Sequence, residues 1–108
     1  MSHRVTTQTE IKDKNFAVQA LKSAGLSYRE VGEQIHITSG RLANATLDLR
    51  SGLISGDTDH GHSSETLGML RQHYSEAKYR AECQKQGISV ESRTVNKEGH
   101  IVLMCSMA

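Results

Sequence analysis

Residues 13–25 read DKNFAVQALKSAG. Phe16, Ala17, Ala20, Leu21 and Ala24 recur at spacings of one, three, one and three, which gathers them in a single stripe on a helix. Lys14, Gln19, Lys22 and Ser23 fall outside that stripe. Asp13 stands where an N-cap carboxylate accepts a bond from an orphan backbone N–H. Gly25 closes the helix, because glycine enters the left-handed region without Cβ strain. A helix with one apolar stripe needs one apolar surface to cover, so the flanking residues decide the fold.

Those residues read as strands. Over 3–11, HRVTTQTEI, Val5, Thr7, Thr9 and Ile11 share one side while Arg4, Thr6, Gln8 and Glu10 share the other. Residues 26–38 predict two short strands about a turn at Gly32 and Glu33. Gly40 to Asn44 reads as a loop. ATLDLR then alternates Leu47 and Leu49 with Asp48 and Arg50, and a turn at Ser51–Gly52 leads to a short apolar run at Leu53–Ile54. From Ser64 to Gln86 the period is helical again, with Leu67, Leu70, Tyr74, Ala77 and Ala81 on one stripe and Gly87 at the end. Glu76 and Arg80 are placed to pair one turn apart. The chain continues with ISVESRTV, a turn over Asn96–Gly99 and HIVLMCSM, a β-hairpin whose last strand is apolar on both faces from Ile101 to Cys105. Such a strand is expected to be central or covered on its second side.

The predicted order is β-α-β-β-β-α-β-β in a single α+β domain over residues 1–108. The expected architecture is a two-layer sandwich, a mainly antiparallel sheet with both helices on one face, as a ferredoxin-like variant with additional strands.

Composition narrows the function. Thirteen basic against twelve acidic side chains leave a formal charge of +1, without the basic excess that a dedicated nucleic-acid binder carries. No stretch has the roughly 18–20 apolar residues of a membrane span, and MSHRVTTQTEIKDK has no signal-peptide core. A cytoplasmic setting is the expectation. Cys83 and Cys105 lack metal or redox spacing and fit that setting as free thiols, a disulfide between them being the less favoured alternative.

The one cluster with chemical character is residues 56–65, GDTDHGHSSE. His60 and His62, with Asp57 or Asp59, offer donors suited to zinc or another divalent ion, and a metal-dependent or nucleotide-handling protein is the reading that follows. The structural reading accounts for more of the residues. Gly56 and Gly61 permit turns, Asp57 and Asp59 make local loop bonds, Ser63 or Ser64 caps the second helix, and Glu65 lies in its first turn. No nucleophile elbow or phosphate-binding glycine loop is present.

Two stretches resemble a known family. Met1, Ser2, His3, Thr9, Ile11, Lys12 and Asp13 match its opening pattern. Leu70, Gln72, Tyr74 and Lys78, then Lys85, Gln86 and Gly87, match its second-helix pattern. The family is a conserved plastid reading-frame family, found also in cyanobacteria and cyanophages, and is a domain of unknown function. The resemblance implies a photosynthetic context: host cytoplasm if phage-encoded, stroma if plastid-encoded. It singles out His3, Gln72, Tyr74 and Lys78 as matched polar positions and brings no activity or cofactor with it. Where family members carry a longer, aromatic-containing hairpin before the second helix, this chain has GDTDHGHSS.

The sequence therefore favours a small non-enzymatic binding or adaptor protein with no cofactor, working through a protein partner or as a homodimer. The open sheet face along Ile101–Met107, or a sheet edge, is the expected contact. A divalent-metal protein using the Asp57–His62 segment is the first alternative. Nucleic-acid binding through Arg71, Lys78, Arg80 and Lys85 is the second.

Overall fold

The computed structural model describes residues 4–57 and 64–107. It contains β1 (Arg4–Gln8), α1 (Lys14–Ser23), β2 (Tyr28–Val31), β3 (Gln34–Ile37), β4 (Thr46–Asp48), β5 (Leu53–Asp57), α2 (Ser64–Lys85), β6 (Ile88–Val95) and β7 (Ile101–Met107), with a 3-10 turn at Gly40–Leu42. Among the described residues no helix is long and apolar enough to cross a membrane.

The first helix forms as its sequence dictates. Asp13 Oδ1 accepts from Phe16 N at 3.2 Å, Ala17, Ala20 and Leu21 are buried, and Gly25 follows at φ 74°. Five strands form one antiparallel sheet in the order β1-β5-β4-β3-β2. Register places Ile35 beside Leu47 and Leu47 beside Ile54, so three buried apolar side chains form a row across the sheet. They join Ile11, Leu21, Leu67, Leu70 and Tyr74 in a single core cluster contributed by the sheet and both helices. The other sheet face is polar. Thr6 and Ser55 share a hydroxyl hydrogen bond of 3.1 Å, and His36 Nδ1 lies 3.0 Å from Thr46 Oγ1. Two helices on one face of an antiparallel sheet is the expected α+β sandwich.

Three details differ from expectation. Residues Leu53–Asp57 form a full strand, paired to β1 and to β4, making seven strands among the described residues rather than six. The strand order also departs from an interleaved ferredoxin-like pattern. Short links make β2 to β5 a sequential meander, while α1 carries the chain from β1 at one edge to β2 at the other. Finally, β6 and β7 form a separate two-stranded sheet, so Ile101–Met107 is not a central strand.

The 22 residues of α2 span about 33 Å, roughly twice the length of a five-residue strand. Leu67, Leu70 and Tyr74 are buried in its first half, and Ala77 just past its middle. The hairpin runs back along this helix: β6 packs on α2, Arg93 reaches Glu76, and the turn comes to lie beside Gln72. The molecule is accordingly elongated, 52 × 34 × 21 Å. Its Cα radius of gyration is 14.8 Å, against about 13 Å for a compact domain of this length.

Candidate functional site

The joint between α2 and the hairpin is held by polar side chains that reach from one element to the other. At the turn, Asn96 N donates to His100 O at 2.9 Å, and Asn96 Oδ1 accepts from Glu98 N and His100 N at 3.0 and 2.9 Å. Gln72 reaches across from α2. Its Oε1 accepts from Ile101 N at 3.0 Å, and its Nε2 donates to Gly99 O at 3.4 Å.

One turn further along α2, Glu76 receives two guanidinium groups. Arg80 Nε lies 2.8 Å from Oε2, and Arg93 Nε, from β6, lies 3.1 and 2.9 Å from the two carboxylate oxygens. Burial would raise the Glu76 carboxyl, but the hydrogen bonds from Arg93 and Arg80 outweigh it and hold the group below its ordinary value of 4.5. His73 is also lowered from its ordinary value of 6.5, first by burial and then by the charge of Arg93. Its Nδ1 is buried without a hydrogen-bond partner among the described residues.

Both titrations weaken the joint on acidification. His73 costs stability as pH falls below 6.5, because the unfolded imidazole then binds a proton that the folded one resists. Glu76 contributes stability above 4.5 that is lost as pH falls through its lowered folded value. Thermal melts across this range should decline in two steps, with the upper step missing from His73→Leu and the lower from Glu76→Gln. A melting temperature flat from neutral pH to below 4.5 would sink this account.

Beside the joint lies a cleft of about 580 Å³ lined by Glu10, Arg71, Gln72, Glu76, Tyr79 and Leu103 among others. Its charges are matched internally. Arg71 Nη2 lies 2.9 Å from Glu10 Oε2, and this partner holds the Glu10 carboxyl below its usual value. Tyr79 Oη is 3.9 Å from Cys105 Sγ. The thiols of Cys105 and then Cys83 push the Tyr79 phenol up to about 12, so it stays protonated at neutral pH. Neither thiol is in a disulfide; Cys83 is buried and Cys105 exposed. Satisfied ion pairs and a protonated phenol do not make a nucleophile with its base.

The residues singled out from sequence scatter. His3, Asp59, His60 and His62 lie outside the described residues. Asp57 ends β5, opposite Arg4. Among the described residues no group of three or more His, Cys, Asp or Glu side chains is placed to hold a metal. Tyr74 and Lys78 do come together, with Lys78 Nζ 5.7 Å from the ring centroid, a cation–π contact. Of the four cations in the nucleic-acid reading, Arg71 and Arg80 are spent on Glu10 and Glu76. The structural role of Gln72 was missed, since nothing in the sequence links it to a turn 27 residues on.

The hairpin has the most exposed apolar surface. Four of the seven large apolar side chains exposed among the described residues belong to it: Val95, Val102, Met104 and Met107. In a two-stranded sheet, each strand has one edge without a strand partner. No protein-family model, curated protein or solved structure matches the chain.

Proposed function

We propose that the protein is a small non-enzymatic binding module that acts through protein–protein contact at its terminal hairpin. The observation that carries this reading is a two-stranded ribbon, packed on one helix, with Met104 at 60% and Met107 at 77% exposure. An isolated two-stranded ribbon is marginal in water and gains stability from a third strand or a covering surface. The internally satisfied charges of the neighbouring cleft support a contact role over catalysis. The setting proposed with it is cytoplasmic, where Cys83 and Cys105 remain free thiols.

A photo-cross-linking residue at Val102, compared with one at Gln8 on the large sheet, tests the reading in cells. Val102 is expected to capture specific protein, and Gln8 background only. Equal capture at the two positions defeats the proposal.

A further inference from the structure

We infer that the partner at the hairpin is a second copy of this chain, joined by antiparallel pairing of β7 with β7 about a two-fold axis near Met104. The inference rests on the contact reading above and adds the identity of the occupant.

The sequence of β7, IVLMCSM, sets it apart. It is the only one of the seven described strands without an acidic, basic or histidine side chain. Arg4, Arg29, His36, Asp48, Asp57 and Arg93 mark the other six. Natural sheets discourage edge-to-edge pairing with charges and bulges. The outer edge of β6 has both, Glu91 and Arg93 plus a register shift between Val90 and Ser92. The outer edge of β7 has neither.

Self-pairing suits such a strand. A two-fold contact sets the residue on the axis against its own copy and its neighbours against one another, so a charged strand of one sign would meet its own repulsion, whereas β7 meets none. We place the two-fold axis at Met104. Gln72 already takes the Ile101 N–H, and a register centred on Met104 pairs residues 102–106 without disturbing that bond. In that register Leu103 lies opposite Cys105 of the second copy, and Val102 opposite Ser106. Met104 lies opposite itself, with Cβ atoms about 4.5–5.5 Å apart. The most hydrated apolar side chains of the outer face, Val102 and Met104, then lie together across a continuous four-stranded sheet.

The test is sedimentation and light scattering of the full chain, from low micromolar to about 500 µM, for wild type and Met104→Lys. Wild type should reach twice the 11.9 kDa chain mass. Met104→Lys should weaken association at least about tenfold by placing two ammonium groups face to face, with an unchanged far-ultraviolet spectrum because Met104 is exposed. A second variant, Met104→Cys with Cys105→Ser, should become a covalent dimer on oxidation by glutathione disulfide. Val31→Cys with Cys105→Ser, exposed on charged β2, should not. A wild type monomeric throughout, or a dimer that survives Met104→Lys, overturns the self-pairing. If Val102 then still cross-links to a different protein, the contact reading survives that failure; background capture there ends both.

Discussion

Replacing Tyr74 with alanine is expected to cost about 3–5 kcal/mol of folding stability, read as a lower urea midpoint at unchanged slope. Against a typical total of about 5–15 kcal/mol, the variant would stand at the margin of folding. The size follows from how many elements one ring joins. Tyr74 is 2% exposed in the core between the sheet and both helices. It meets Phe16 of α1 edge-on, with ring centroids 6.3 Å apart. Lys78 lies over its face. Its hydroxyl accepts from Lys12 N at 3.4 Å and Asp13 N at 3.2 Å, where α1 begins. Tyr74→Phe keeps the ring and removes only that acceptor, so its cost should be near 1 kcal/mol. If phenylalanine proves as damaging as alanine, the packing account is wrong.

Gly52→Ala should cost about 3 kcal/mol or more, through two effects that a control separates. Gly52 sits at φ 78°, a conformation costly to alanine. A Cβ there would also collide with the backbone carbonyl oxygen of Thr9. That carbonyl has little room to move, because the turn is bonded to the end of β1. Thr9 N and Thr9 Oγ1 donate to Gly52 O at 2.9 and 2.6 Å, and Gln8 Nε2 donates to Ser51 O at 2.6 Å. Gly32 has similar φ, 60°, and open space around its Cβ position, so Gly32→Ala should lose only about 1–2 kcal/mol. Thermal melts of both variants decide it; equal losses would leave the collision with Thr9 no part in the effect.

Legibility in the sequence followed the range of the forces involved. The first helix was readable in full because its stripe, its Asp13 cap and its Gly25 stop lie within a dozen residues. The β2–β3 hairpin was readable from its Gly32–Glu33 turn for the same reason. The strand at 53–57 was only half visible. It pairs on both sides, yet it contributes one deeply buried side chain, Ile54, and after the half-buried Leu53 its other positions carry serine, glycine and aspartate. Ile101–Cys105 misled in an instructive way. Apolar side chains on both faces signal that a strand needs cover, but say nothing of what supplies it. Here the second helix supplies part of it, since β6 packs on α2 and not on the large sheet. The joint of Gln72, Glu76 and Arg93 was illegible for the complementary reason. Only the Glu76–Arg80 pair is local; Arg93 arrives from 17 positions further on.

The strand order has a consequence for the moment of synthesis. Of the described strands β1 leaves the ribosome before the rest, yet its one partner among them is β5, and Thr6 waits for Ser55, 49 residues later. At about 5–20 residues per second, that is a delay of roughly 2–10 s during which β1 has no ladder to join. β1 carries one large apolar side chain, Val5, among Arg4, Thr6, Thr7 and Gln8, a composition that gives an early and solitary segment little apolar surface to bury against a wrong neighbour.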